Sequence, residues 1–325
     1  MGKAYCRNEV SEYFFILDEN DTLFKIVSEF YDLVLDKGED EIFELIKENP
    51  VANYFFKRES AGIISDKDGF CKIEEKDYLP FSNDIIICDE KINASEIREK
   101  FGVLALNIED DFLLTQNFNF GYTLEPNKEC KFKCWSDIVE PKSFVPINSA
   151  ILVDNYIWKN ITNFHDENSE NLYKIISKII PSTLEVPFQL LINIDNRKCG
   201  IDKNMAQEKV KKIKKNLEKI TGKKVEVGIS SHTNQKLFHS RVILTNHHLF
   251  SSDRGFTIIK NGKVTSKTHG SRNWVFQGID NFYGQIDKHL HNNQIRDLKI
   301  STEFNKKQNS NTIYNAGEWD NRLLN

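Results

Sequence analysis

The residues of this chain whose types and spacing could do chemistry gather in one stretch. Phe238-His239-Ser240-Arg241 leads into Val242-Ile243-Leu244-Thr245-Asn246. Side chains alternate along a strand, so His239 and Arg241 fall on one face. The apolar run Val242-Ile243-Leu244, opened by two β-branched residues, predicts a buried strand carrying both residues at its entrance. An imidazole beside a guanidinium suits a phosphate. The guanidinium binds two oxygens at once, and the imidazole attacks or transfers a proton. Ser251-Ser252-Asp253-Arg254-Gly255-Phe256 follows, and then Gly270-Ser271-Arg272-Asn273-Trp274. Ser271 and Asn273 either donate hydrogen bonds to such a pocket or form a turn before Trp274.

The pattern His239-x-Arg241-x4-Asn246, with Gly270-Ser271-x-Asn273 further on, resembles the His-x-Lys-x4-Asp and Gly-Ser-x-Asn patterns of the phospholipase D superfamily. Arg stands at the Lys position and Asn at the Asp position, and the Gly-Ser element comes later, after what reads as an inserted hairpin. The order of elements is similar to that of the non-catalytic branch, which includes the C-terminal domain of some microtubule-interacting-and-transport proteins. The resemblance covers roughly the second half of the chain. It implies a phospholipase D-like α/β fold, a mixed sheet with flanking helices. It also implies a site built on His239, Arg241 and Asn246, with Asp154, Ser271 and Asn273 as ligand-binding residues and no metal or cofactor. The implied setting is a bacterial antiviral defence system.

Enzymes of that superfamily bring two motifs to one site, one histidine attacking phosphorus and the other protonating the leaving group. This chain carries one copy. His165-Asp166-Glu167 and His289-Leu290-His291 lack a basic residue in the right place, and His232 precedes Lys236 at the wrong spacing. A complete catalytic site therefore requires a homodimer pairing two copies of His239. Asn246, moreover, offers no carboxylate to orient an imidazole, a loss that weakens transition-state stabilisation where tautomer control matters. Two function classes follow. The first, favoured by Asn246, is a cytoplasmic phosphate-recognising module that binds nucleic acid, a nucleotide or a partner protein without cleavage. The second is a homodimeric, metal-independent nuclease or phosphodiesterase using His239. A plainer reading makes His239 a structural histidine hydrogen-bonded in the core. His247 and His248 are not expected to chelate one ion, because neighbours on a strand point to opposite faces.

Composition bounds the partners. The chain has 325 residues, with 44 Lys and Arg against 48 Asp and Glu, a net charge of −4, so any anion-binding surface must be local. Lys209, Lys211, Lys212, Lys214, Lys215 and Lys219 share one predicted helix. It reads either as a solvated amphipathic helix or as a face for an anionic polymer or lipid surface. The six cysteines are scattered. Cys130 and Cys134 form the one close pair, and zinc would need two further ligands at suitable spacing. No apolar run approaches the roughly 20 residues of a membrane span. Met1-Gly2-Lys3-Ala4-Tyr5 has no secretory apolar core, so the cytoplasm is the expected compartment.

The elements that must position these residues fall into two predicted domains. Residues 1–140 read as an α+β domain, a candidate surface for a protein partner. Apolar Leu23, Ile26, Val27, Phe30, Leu33 and Val34 predict a helix closing at Lys37-Gly38, and residues 39–48 a second, closed by Pro50. Lys67-Asp68-Gly69 predicts a hairpin turn within 62–79. Strands are expected at 84–88, 103–108 and within 112–124, a helix at 94–101, and a solvated turn at Glu109-Asp110-Asp111. Residues 141–325 read as the phospholipase D-like domain with a polar tail. Strands over 150–157, 188–194 and 225–229 alternate with helices over 167–180 and 206–220. That alternation implies right-handed crossovers and a largely parallel sheet. In such sheets ligands collect at the carboxyl ends of the strands, where Asp154 lies. If the His239 strand runs antiparallel to the other three, it meets Asp154 at one edge. Residues 292–325 are expected to dock through Trp319 and Leu323-Leu324, with the earlier part mobile.

Overall fold

The computed structural model describes residues 2–57, 62–88, 92–107, 120–126, 135–139, 146–155, 169–232, 241–260, 263–279, 282–308 and 310–325. His239, His165, the Cys130–Cys134 pair, Pro141 and the turn at 109–111 lie outside the described residues. The chain divides into two compact units, Met1–Asn117 with Phe276–Ile286, and Phe118–Val275 with Asp287–Asn325.

The first unit is built on five parallel strands, β1 (Gly2–Cys6), β2 (Tyr31–Leu35), β3 (Ile63–Ser65), β4 (Ile85–Cys88) and β5 (Leu104–Asn107), in the order β3-β2-β1-β4-β5. Helices α1 (Asn8–Phe14), α2 (Thr22–Phe30), α3 (Glu39–Glu48), α4 (Pro50–Lys57) and α5 (Lys67–Glu74) lie between strands. Strands buried on both faces read as unbroken apolar runs, as Ile85-Ile86-Ile87-Cys88 does. This is a parallel α/β unit, where the sequence suggested α+β with a hairpin. Lys67-Asp68-Gly69 forms the first turn of α5. The Asp66 side chain accepts the Gly69 N–H at 3.0 Å, so the turn signal is a helix N-cap. The helix expected to reach Val34 stops at Phe30, and the chain continues directly as β2.

The second unit holds eight strands in the order β15-β9-β8-β7-β10-β11-β14-β6. They are β6 (Phe120–Leu124), β7 (Ser149–Val153), β8 (Phe188–Asp195), β9 (Val225–His232), β10 (Arg241–Thr245), β11 (His248–Ser252), β14 (Thr268–Trp274) and β15 (Asn315–Gly317), with a small hairpin of β12 (Ile259–Lys260) and β13 (Lys263–Val264) beside them. Strands β7, β8 and β9 are parallel, and β10 is antiparallel to β7. The three expected strands thus share one sheet, and that sheet is mixed. β6 pairs with β14, so residues from Phe120 onward belong here rather than with the N-terminal unit.

The unit's helices are α6 (Trp135–Ile138), α7 (Ser169–Ile179), α8 (Asn196–Cys199), α9 (Lys203–Thr221) and most of α10 (Phe282–Lys307). α9 shows why the sequence folds as it does. Ala206, Val210, Ile213 and Leu217 recur on one face and are buried, the Asp202 side chain accepts the Met205 N–H at 2.8 Å, and Gly222 ends the helix at φ 68°. Its buried face packs with Leu190, Ile192, Val227 and Ile243 in one core cluster. The tail docks through β15 on β9 and through Leu323 and Leu324 beside Trp319, as expected. Its earlier part, to Lys307, is helix. Among the described residues no helix is long and apolar enough to cross a membrane.

Candidate functional site

Because β10 runs against β7, its first residue lies beside the carboxyl ends of the parallel strands. The register pairs Val242 with Val153, and one further step sets Arg241 opposite Asp154. Asp154 is buried, and its Oδ2 accepts the Phe256 N–H at 2.8 Å. Arg241 is half-buried and donates from Nη1 to the carbonyl of Asp253. Gly255 makes the arrangement possible. Its φ is 83°, and a Cβ there would sit 2.7 Å from Asp154 Oδ2 and 3.0 Å from Arg241 Cδ. The loop carrying it is fixed from within. Ser252 Oγ donates to the Gly255 carbonyl at 2.7 Å, and the Asp253 carboxylate accepts the Thr268 hydroxyl and the His269 N–H. Burial opposes ionisation of Asp253, but those two donors hold it below the usual carboxylate range.

The ends of β8 and β9 lie at the same end of the sheet, but Asn193 is in register with Val153 and Val242, so its side chain and those of Asp195 and His232 fall on the face opposite to Arg241 and Asp154. His232 Nε2 lies 2.5 Å from Asn193 Oδ1, and burial pushes the imidazole down to about 4, so it is neutral at pH 7. Asp195 holds Arg197 through two bonds of 2.9 Å each, a bidentate pair, while Asn155 Oδ1 accepts the Asp195 N–H at 2.7 Å. Asn193 Nδ2 is fully buried and has no hydrogen-bond partner among the described residues. A donor of that kind is costly to leave unmade.

Of the residues singled out from sequence, the fold brings Arg241 and Asp154 together. Asn246 is elsewhere. It follows the last residue of β10, about 16 Å along the strand from Arg241. There its Oδ1 accepts the N–H groups of Asn148 and Ser149 at 3.0 and 3.2 Å, and its Nδ2 donates to Asn148 Oδ1 at 3.1 Å. It clamps the start of β7 and does not reach the Arg241 edge. Ser271 pairs with Ser251 at 2.9 Å, and Asn273 Nδ2 donates to Asp287 at 2.9 Å, so both are engaged within their own part of the unit. Asn193 and Asp195 are not among the residues singled out from sequence, and His232 enters there only as a rejected second copy of the motif. Their signal was the switch from apolar to polar at the ends of two buried strands, Asn193-Ile194-Asp195 and Ser230-Ser231-His232.

His247 and His248 are buried at the opposite end of the sheet, with ring centroids 5.9 and 4.8 Å from that of Trp274. Lys288 and His291 of α10 belong to the same cluster, and His291 Nε2 lies 2.7 Å from the Thr245 carbonyl oxygen. Burial, with Lys288, His291 and His248 nearby, pushes His247 well below the ordinary histidine value. Burial alone brings Lys288 down to about 7, and burial with Lys288 beside it brings His291 to about 3. Among the described residues no group of three or more His, Cys, Asp or Glu is placed to hold a metal ion. Compared with known proteins, the chain matches no family model and no curated protein.

Proposed function

We propose that Arg241 and Asp154, at the carboxyl edge of the parallel strands, form a phosphate-recognition site on a phospholipase D-like fold. The protein then binds a phosphate-bearing ligand, a nucleic acid, a nucleotide or a partner protein, without cleaving it. The observation that carries this reading is the meeting of Arg241, at the entrance of an antiparallel strand, with Asp154, at the carboxyl end of a parallel one. A guanidinium presents its N–H donors in a planar fork that matches the oxygens of a phosphate. The composition supports a cytoplasmic setting, the resemblance a role in bacterial antiviral defence, and the helices of the first unit a surface for a protein partner.

The test is incubation of the purified protein with labelled single- and double-stranded DNA and RNA in the presence of a chelator, following both retention and cleavage. Retention without cleavage is expected. Arg241→Ala should weaken retention by about 1.5–3 kcal/mol, the scale of a charge-assisted hydrogen bond, with melting temperature nearly unchanged. Unchanged affinity in that variant removes the reading. One observation favours the second reading, a homodimeric nuclease or phosphodiesterase using His239. Asn246 lies at the far end of β10, so its replacement of Asp takes no carboxylate away from the Arg241 edge. Chelator-resistant cleavage that disappears in His239→Ala would establish that second reading.

A further inference from the structure

Helix α9 carries seven lysines and two glutamates in a chain whose total charge is −4. With Ala206, Val210, Ile213 and Leu217 turned into the core, the opposite face presents Lys211, Lys215 and Lys219, flanked by Lys203 and Lys214, all exposed. Lys211, Lys215 and Lys219 are spaced four residues apart, so they form one ridge about 12 Å long. Like charges at that spacing weaken a helix. Glu208 is the one acidic side chain exposed on that face, and Lys211, Lys214, Lys215 and Lys219 make no ion pair among the described residues. The free protein therefore holds a line of mutually repelling charges that a polyanion relieves.

We infer that this ridge is a docking surface for duplex nucleic acid, gripped through its phosphate backbone without regard to sequence. Two features choose the partner. A lipid surface takes up a helix by its apolar face, and here that face is buried against the sheet, leaving Met205 and Ile220 exposed near the two ends. Single strands are held by stacking bases on aromatic side chains, and α9 has none. A ridge of lysines with neither anchor nor stacking platform fits the fixed line of phosphates on a duplex, where each neutralised phosphate releases counterions. The inference deepens the phosphate-recognition reading by naming its ligand class, and it stands on a different surface, so the two can fail separately.

The experiment is fluorescence anisotropy of a labelled 20-base-pair duplex titrated with full-length protein at several salt concentrations. The variants are Lys211→Gln/Lys215→Gln/Lys219→Gln, a control of equal charge loss at exposed positions of the first unit (Lys57→Gln/Lys67→Gln/Lys72→Gln), and Arg241→Ala. Glutamine retains the helix, which circular dichroism verifies. The expected result is a log–log salt slope shallower by about 2.7 in the ridge variant, three contacts at about 0.9 each, with the control at the wild-type slope. Equal slopes for wild type and the ridge variant overturn the inference. So does duplex binding that Arg241→Ala abolishes while the ridge variant retains it, although that outcome supports the proposed site. Binding to phosphatidylserine vesicles that needs the ridge, without duplex binding, overturns it in favour of a membrane.

Discussion

Gly255 works by what it lacks. Its left-handed backbone and missing side chain let Asp154 and Arg241 approach the same loop. Gly255→Ala should cost about 1–3 kcal/mol in urea unfolding, from the strained φ and the clash with a buried carboxylate, and should weaken phosphate binding as Arg241 is displaced. Asn246 makes the complementary case. Asn246→Ala leaves two N–H groups and one amide oxygen buried without their partner, so a loss of about 2–3 kcal/mol in stability is expected with binding unchanged. Asn246→Asp would restore the letter of the superfamily pattern, yet no cleavage should appear in a chelator-containing nuclease assay, because the residue sits at the wrong end of β10. Residue type and spacing were enough to bring Arg241 and Asp154 to one edge of the sheet, since that expectation rests on strand direction. They misled at position 246, because a one-dimensional pattern does not say that five residues of strand carry the last position away from the first.

At the scale of elements, the one-faced helices α7 and α9 and the strands β8 and β9 of the second unit were legible, because each carries its pattern over eight or more residues. The short pieces were not. β1 has five residues, two of them half-buried, and offers too little pattern to be recognised, yet it is the middle strand of its sheet. At 22–35 a spaced helical pattern and a continuous strand run share residues, so periodicity alone does not separate α2 from β2. The cluster of His247, Lys288 and His291 was also hidden, since it joins the turn after β10 to α10 across a long sequence gap. Lys288 is neutral in the fold above about 7 and protonated in the unfolded chain up to the ordinary lysine range. Between those values the unfolded chain binds more protons, so stability rises with pH. His291 and His232, pushed to about 3 and about 4, add the same slope in acid, where stability falls as pH drops below the ordinary histidine value. Lys288→Met should raise stability by about 1–4 kcal/mol at or below pH 7, the gain shrinking toward pH 10. Urea midpoints measured across that range check it. A wild-type slope that persists in the variant would assign the titration to another group.

At the scale of the whole molecule, the decisive quantity is how many histidines meet at one phosphate. Each chain supplies one His-x-Arg motif, whereas the two-step mechanism needs a nucleophile and a separate acid. Catalysis therefore demands a two-fold dimer that brings the Arg241 edges of two chains together, an isologous contact of the kind symmetry permits. Mixing wild-type and His239→Ala protomers at fixed total concentration separates the readings. Paired sites keep both histidines only when both chains are wild type, so an equal mixture of exchanging dimers would retain about a quarter of the activity, while independent chains would retain about half. A recognition module behaves differently from either. Cleavage is absent at every ratio, and ligand retention stays level as the variant is added, because each chain binds through its own Arg241. Level retention with no cleavage is the expected outcome. A quadratic fall in chelator-resistant cleavage would make the protein a dimeric nuclease instead, with Asp154 and Arg241 as its phosphate-facing edge.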